Sequence, residues 1–223
     1  MPNYFNIDAA FASSKTNECF VFVKDKYVVL NYAPGFKKKE IMTGPRKIVE
    51  GFPMLKDTIF ENGIDCAFDT TRNNETFIFS GNQCVKTTAP QSTNARLLSG
   101  PMLITAMFPT LIGTGFENGI ESSTRSINND TTINLFKGDE LVVFDMYSNS
   151  LVDRMKISAH YRIFVGTVFE SGIDAAFNTH VKDEVIVFKG QYYAHYNIRT
   201  NQFLNGYIKR IHDYWPALHG ILQ

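Results

Sequence analysis

A chain of 223 residues is long enough for one large domain or two small ones. Its 22 basic and 22 acidic side chains balance, so the composition favours neither a nucleic-acid-binding surface nor an acidic solvating tail. No run approaches the roughly 20 apolar residues that a membrane span requires, and no basic segment followed by an apolar run marks a signal peptide.

One short motif recurs along the chain and divides it into four units. It stands at Phe60–Asp65, Phe116–Glu121 and Phe169–Asp174, and a shorter copy, Asn6–Asp8, stands near the start. The Ile residues of successive copies, at positions 7, 64, 120 and 173, are 57, 56 and 53 residues apart. A period above about 40 residues indicates a solenoid, a propeller or an array. We therefore predict a single domain over 1–223, with repeats of approximately 4–60, 61–116, 117–169 and 170–223.

The first unit predicts four strands of increasing exposure. An inner strand begins at Ile7, and small residues after Asp8 suit close packing. Glu18–Val23 is short, apolar and rich in aromatic and β-branched residues, which is typical of a buried strand. Tyr27–Asn31 predicts a third strand, and Glu40–Met42 predicts a short charged strand at the outer edge.

A short helix is predicted after these strands. Gly44-Pro45 is expected to end the outer strand, and Ile48, Phe52 and Leu55 then fall at helical spacing. Pro45 suits the first turn of this helix, and Phe52-Pro53 is expected to end it. Four strands and a short helix describe one propeller blade, so the chain predicts an all-β, four-bladed β-propeller with short helices between the blades.

The later units repeat this plan, and the third repeats it least well. Gly100-Pro101 and Phe108-Pro109 in the second unit match the two Pro pairs of the first. The third unit lacks both pairs, and its inner strand, Ser122–Thr124, is polar where the other units have Ala and Phe. The fourth unit returns to the pattern and ends on Trp215-Pro216.

The fourth unit carries the motifs by which the repeat of this chain can be compared with known repeats. Ile173–Phe177 reads Ile-Asp-Ala-Ala-Phe, Phe188–Gly190 reads Phe-Lys-Gly, and Trp215-Pro216 stands near the end. This combination resembles the haemopexin-like repeat, and the resemblance extends over all 223 residues. A single free-standing propeller is similar to one branch of that family, the albumin-2 proteins of legume seeds. The resemblance implies a four-bladed haemopexin-like propeller with an ion-bearing central tunnel.

The resemblance also implies a function. It implies a non-enzymatic seed albumin that binds calcium in the tunnel and a small ligand, a polyamine such as spermine or haem, elsewhere. Sodium and chloride are further tunnel ions to consider, and a nutrient-reservoir role would follow from abundance. A carbohydrate-binding lectin, or haemagglutinin, is the alternative, although the chain has one Trp and no per-blade pattern of Trp with an acid. We expect a homodimer, with no nucleic-acid partner and no membrane partner.

Three cysteines bear on the compartment and on how the ring closes. Cys19, Cys66 and Cys84 form an odd set without metal-type spacing, so we expect buried, reduced thiols and a cytosolic protein. Extracellular members of the family that the chain resembles close the ring with a disulfide between the first and last blades. No Cys follows Cys84, so closure is expected to be non-covalent, through Tyr4-Phe5 and Ile221-Leu222.

The acid that ends each motif is the candidate metal site. A closed ring would bring four such residues to one axis, and oxygen ligands suit Ca²⁺. The resemblance implies that their backbone carbonyl groups bind the tunnel cation, and that residues two positions later form a second ion level. The alternative is that the acids only cap turns. The first set is Asp8, Asp65, Glu121 and Asp174, and the second is Ala10, Ala67, Ser123 and Ala176.

Three glutamates, four residues before their acids, suggest a polyamine site. If Glu61, Glu117 and Glu170 face the tunnel entrance, they would concentrate negative charge and attract a polycation. The alternative is a solvated rim or support for the neighbouring turn. No haem ligand is assigned, although His212 and His219 beside the last helix are candidates. No nucleophile elbow, Cys-x-x-Cys pair or phosphate loop is present, so no catalysis is expected.

Overall fold

The structure is a computed structural model, and it describes residues 6–33, 40–70, 75–88, 95–126, 131–204 and 206–222. Within these ranges the backbone forms four antiparallel sheets. In three of these sheets the strands lie in the order in which they occur along the chain, and in the fourth the last two short strands both pair with the third strand. This order arises because short turns join consecutive antiparallel strands.

Each of the four sheets begins with a short inner strand of four residues. The first sheet contains β1 (Ala9–Ala12), β2 (Glu18–Val23), β3 (Lys26–Asn31) and β4 (Glu40–Lys47). The second contains β5 (Cys66–Asp69), β6 (Glu75–Ser80), β7 (Gln83–Thr88) and β8 (Leu97–Leu103). The third contains β9 (Ser122–Arg125), β10 (Thr132–Lys137), β11 (Glu140–Asp145) and β12 (Ser150–Lys156). The fourth contains β13 (Ala175–Asn178), β14 (Glu184–Lys189), β15 (Tyr192–Asn197) and two short outer pieces, β16 (Gln202–Phe203) and β17 (Lys209–Arg210).

A four-residue helix follows the outer strand of every sheet. These helices are α1 (Ile48–Gly51), α2 (Ile104–Met107), α3 (Ile157–His160) and α4 (Ile211–Tyr214). Short 3-10 helices complete the connections: Pro53–Leu55, Ile59–Glu61, Pro109–Leu111, Phe116–Asn118, Arg162–Phe164, Val168–Ser171 and Pro216–Gly220. None of the helices in the described ranges has the length and hydropathy that a membrane crossing requires.

The inner strands close into a ring. Strand β1 contacts both β5 and β13, and β9 contacts the same two strands from the other side. The four sheets are therefore the blades of a propeller around a central axis. The prediction of an all-β, four-bladed propeller with short helices between the blades is confirmed.

Apolar side chains fill the space between neighbouring blades. The cluster between the last and first blades contains Ile7, Trp215, Ile221 and Leu222, all at most 6% exposed. The cysteines are buried and free, as predicted, so packing and hydrogen bonds hold this joint in the described residues. The other half of the predicted closure, Tyr4-Phe5, lies outside the described residues.

The prediction that Gly44-Pro45 ends the outer strand is wrong. Both residues lie inside β4, where the pairing with β3 is irregular. Pro is tolerated there because an outer strand needs no donor on its open side. Gly44 has φ +96°, and a Cβ atom on it would stand 2.6 Å from the carbonyl oxygen of Tyr27. Helix α1 therefore begins at Ile48, beyond Pro45, and ends before Phe52 as expected.

Candidate functional site

The acid of each motif directly precedes an inner strand, so the ring of strands gathers the four acids at one end of the tunnel. A cavity of about 280 Å³ at this end is lined by Asp8, Asp65, Glu121 and Asp174 together with neighbouring backbone. Equivalent residues of four similar blades meet there because the inner strands surround one axis. The geometry places the predicted metal-site residues around a single space.

The four carboxylates share one local role. Each accepts a hydrogen bond from a backbone N–H in the turn between the second and third strands of its own blade. The pairs are Asp8 with Lys24 at 2.5 Å, Asp65 with Gly81 at 2.6 Å, Glu121 with Gly138 at 2.9 Å, and Asp174 with Gly190 at 2.7 Å. Among the described residues, no group of three or more His, Cys, Asp or Glu side chains is arranged to hold a metal ion. The side chains thus cap turns, which was the alternative for these acids.

In the same four residues, the backbone N–H group and the backbone carbonyl group differ in their hydrogen bonding. Each N–H donates to a carbonyl oxygen of the second strand, at 2.9 to 3.0 Å. Within the described ranges, no hydrogen bond ends on the carbonyl oxygen of Asp8, Asp65, Glu121 or Asp174. Four oxygen atoms of the type that hard cations bind are therefore not engaged by the fold.

Charge at this mouth is predominantly negative. Burial raises the pKa of the Asp8 carboxyl, and the charges of Asp65 and Asp174 raise it further, against the lowering effect of Lys24. The acids are thus close enough to repel one another. The Lys189 ammonium group offsets part of this charge, because it lies 2.6 Å from the Asp174 carboxylate. A cleft lined mainly by one sign of charge concentrates counter-ions.

The predicted second ion level lies further along the tunnel. Ala10, Ala67, Ser123 and Ala176 are all buried on the inner strands. Three of them, Ala67, Ser123 and Ala176, also line a larger cavity of about 790 Å³ at the opposite end. Phe11, Phe68 and Phe177 contribute to its walls, and Asp69, Arg125 and His180 stand among its polar lining.

The predicted ring of glutamates at the tunnel entrance is not formed. None of Glu61, Glu117 and Glu170 lines the cavity at the acid end. Each carboxylate instead accepts from a backbone N–H four residues earlier, at Asp57, Gly113 and Gly166. The physical reason is proximity, because each Glu lies in a 3-10 turn whose preceding loop presents an N–H within reach. This is the turn-support alternative.

The five histidines do not gather into one site. His180 bridges the last and first blades, and His195 lies 2.8 Å from the Glu184 carboxylate. The rings of His212 and His219 stack at the surface with centroids 4.2 Å apart. His160 packs edge-on against Tyr161. The stacked pair is the closest approach of two imidazoles among the described residues, and neither His lines a tunnel cavity.

Comparison with known proteins places the chain in a family. The family model described as Hemopexin matches residues 173–220. Albumin-2 of Lathyrus sativus is 43% identical over 228 residues, covering 99% of this chain and 98% of that protein. The chain belongs to the albumin-2 family. It is a seed albumin of the haemopexin fold, as the repeat motif predicted.

Two solved structures from Cicer arietinum are similar to this albumin-2 family member. One is described as a plant albumin showing hemagglutination, with 42% identity, a TM-score of 0.89, and coverage of 96% of this chain and 97% of that one. The other is described as a plant lectin with two metal binding sites, with 43% identity, a TM-score of 0.88 and the same coverage. These relatives are named as albumins or lectins and not as enzymes.

One polar cluster of this albumin-2 family member was not predicted. Thr124, Asn134 and Tyr161 lie together, buried, between the third and fourth blades. The sequence carried a signal, because the inner strand of the third unit is polar where the others have Ala and Phe. That signal could not show which side chains meet, since the partners come from three separate elements.

Proposed function

We propose that this albumin-2 protein binds a calcium ion at the acid end of its tunnel. The ligands would be the backbone carbonyl oxygens of Asp8, Asp65, Glu121 and Asp174. The observation that carries the proposal is that these four equivalent oxygens accept no hydrogen bond in the described residues while their carboxylates are engaged in turns. Calcium takes 6–8 oxygen ligands at 2.3–2.6 Å, so water would complete the shell.

The carboxylates have a supporting part in this proposal. They hold the turns around the tunnel mouth, and their charges favour a cation without direct contact. Sodium and chloride are proposed for the second level at Ala10, Ala67, Ser123 and Ala176, where the lining is backbone and small side chains. The description of a Cicer arietinum relative with two metal binding sites supports more than one ion position.

The substitution Asp65→Asn tests the ligand type. The backbone carbonyl survives, and the Asn side-chain oxygen can still accept from the Gly81 N–H, so we expect calcium binding to be retained. If the carboxylate were a ligand, affinity would drop sharply, because affinity follows ligand charge. Equilibrium dialysis with calcium on the parent and the variant measures this. A large loss of affinity in the variant contradicts the carbonyl assignment, and an absence of binding to the parent contradicts calcium binding itself.

Polyamine or haem binding is a secondary proposal. The three glutamates do not carry it, because their carboxylates bind their own loops. The 790 Å³ cavity at the other end of the tunnel is proposed instead, where aromatic walls can pack against spermine and the acids Asp69, Asp183 and Glu184 stand among the basic Arg125, Lys182 and Arg199. For haem, the stacked His212–His219 pair offers surface imidazoles. Calorimetry with spermine and absorption spectra with haemin decide between the two ligands.

Carbohydrate binding is a second candidate function. It is favoured by the two Cicer arietinum relatives, one showing hemagglutination and one named a lectin, at 42% and 43% identity. Agglutination of erythrocytes that simple sugars block would support it. We further propose that the protein is a non-enzymatic, cytosolic homodimer, and that its abundance makes it a nutrient store.

A further inference from the structure

The third blade interrupts an apolar pattern that the other blades share. In each blade, one inner-strand residue pairs with one second-strand residue, and the residue after the short helix packs near them. The sets are Phe11, Phe20 and Phe52 in the first blade, Phe68, Phe77 and Phe108 in the second, Thr124, Asn134 and Tyr161 in the third, and Phe177, Ile186 and Trp215 in the fourth. The third blade thus has polar groups where the others have rings or aliphatic side chains.

The polar groups bond to one another but leave two atoms without a partner in the described residues: the Asn134 Oδ1 and the hydroxyl of Tyr196, whose ring packs edge-on against Tyr161. The Asn134 Nδ2 donates to the Tyr161 hydroxyl at 2.6 Å, and the Thr124 hydroxyl lies 3.4 Å from the same oxygen. The Asn134 side chain is 2% exposed, and its Oδ1 has no hydrogen-bond partner in the described residues. The large majority of buried polar atoms in folded proteins are paired, so an orphan acceptor calls for a partner from outside the fold.

The residue that carries this acceptor lines a cavity, while the Oδ1 atom itself is buried. A crevice of about 270 Å³ lies between the third and fourth blades, with Asn134 and Tyr161 among its lining. His160 and Ile198 form further walls, and the exposed side chains of Arg162 and Asn201 stand at its edge. At roughly 30 Å³ per water molecule, this volume equals about nine waters, which is the scale of one sugar ring and not of a longer chain.

The chemistry of the crevice selects against charged ligands. An ammonium group would find one amide oxygen at the floor and the Arg162 guanidinium at the edge. A carboxylate would reach Arg162 but would face the Asn134 oxygen inside. Partial burial lowers the pKa of His160 and so favours its neutral imidazole. A hydroxyl group can donate to the Asn134 Oδ1 and also accept from a neighbouring donor, and it costs less to bury than a charge.

We propose that this crevice binds a small neutral polyhydroxylated molecule of the monosaccharide or polyol class. One ligand hydroxyl donates to the Asn134 Oδ1, and the donors of Arg162 and Asn201 bind hydroxyls nearer the solvent. The inference is independent of the tunnel cation. It rests on the second candidate function, carbohydrate binding, and adds a site to it.

Asn134→Leu is the central test. The equivalent positions hold Phe20, Phe77 and Ile186, so an apolar side chain is compatible with the blade, and thermal unfolding checks this. Asn201→Ala is a second variant at an exposed position; because Asn201 has φ +55°, thermal unfolding checks this variant as well. The matched control is Asn149→Ala, in a blade-three turn where the amide donates to the Met107 carbonyl at 3.1 Å, outside the crevice.

The probes are methyl α-glucoside, methyl β-galactoside, N-acetylglucosamine and myo-inositol, each titrated at millimolar concentration by saturation-transfer NMR. We expect at least one probe to bind the parent, about tenfold weaker binding or worse in Asn134→Leu, weaker binding in Asn201→Ala, and parental binding in Asn149→Ala. A site built to bond a hydroxyl should lose affinity when its acceptor is removed.

Several outcomes would overturn the inference. It fails if no probe binds the parent, if Asn134→Leu and Asn201→Ala both bind as the parent does, or if an amine probe, ethanolamine, binds the crevice and the sugars do not. Agglutination separates this inference from the function it rests on. If sugars block agglutination equally for the parent and Asn134→Leu, and no probe occupies the crevice, carbohydrate binding stands and this site is wrong.

Discussion

The joint between the first and last blades contains a tyrosine whose hydroxyl can be removed while its ring stays. Tyr32 is 6% exposed, and its ring lies 5.2 Å from that of Phe177, centroid to centroid. Its hydroxyl contacts the His180 Nδ1 and accepts from the His180 backbone N–H at 3.1 Å. The His180 Nε2 in turn lies 2.9 Å from the Ser13 carbonyl oxygen, back in the first blade. We predict that Tyr32→Phe loosens this joint and lowers stability.

The magnitude follows from the groups that lose a partner. Phe keeps the aromatic packing, so the loss is confined to the hydroxyl and to the His180 N–H that it leaves unpaired. Burial raises the pKa of Tyr32 above its ordinary value of 10.0, so the bonds concerned are those of a neutral hydroxyl. His180 is exposed and can bond to water in place of the hydroxyl, so the loss is that of one net hydrogen bond, about 0.5–1.5 kcal/mol. In a chain of this size each kcal/mol corresponds to about 2–4 °C, so the melting temperature should fall by about 1–6 °C.

Thermal unfolding followed by circular dichroism measures this change. Tyr207→Phe is the control, because Tyr207 is 65% exposed on the outer part of the fourth blade. A double-mutant cycle with His180→Ala isolates the coupling between the two residues. If Tyr32→Phe melts where Tyr207→Phe does, or if the cycle gives no coupling, this pair does not hold the ring closed.

Two further predictions concern burial at the joint and in the wide cavity. Deleting residues 221–223 removes the side chains of Ile221 and Leu222, which are both 6% exposed and each contribute up to about 1.5–3 kcal/mol of stability. The melting temperature should therefore fall. An unchanged melting temperature would contradict their part in closing the ring. Burial raises the pKa of Asp69 above 3.8, so its ionised form destabilises the fold at neutral pH. Asp69→Asn should therefore resist urea unfolding better than the parent at neutral pH. Below pH 3.8 the parent's carboxyl is protonated as well, so this advantage should disappear. An equal advantage at both pH values would refute the titration argument.

The repeat and the blade plan could be predicted from the sequence alone. Similar residues recur at nearly equal intervals, so each unit must fold in the same way, and four units that bury one face against a neighbour close into a ring. The gathering of Asp8, Asp65, Glu121 and Asp174 followed from that symmetry, since the structure places all four on one cavity. The position of the backbone at equivalent residues of each repeat follows from the repeat spacing, which can be read from the sequence.

The directions of the side chains were decided only by the tertiary structure. Whether Asp65 faces a metal or caps a turn depends on the Gly81 N–H standing 2.6 Å away, sixteen residues further along the chain. Glu117 faced the same choice and bonds Gly113 instead of the tunnel. The orphan oxygen of Asn134 exists because Tyr161, from a different element, takes its amide donor, and no group among the described residues takes its acceptor. Hydrogen bonds are short-ranged and directional, so their partners are set by the assembled fold and not by the spacing of residues along the chain.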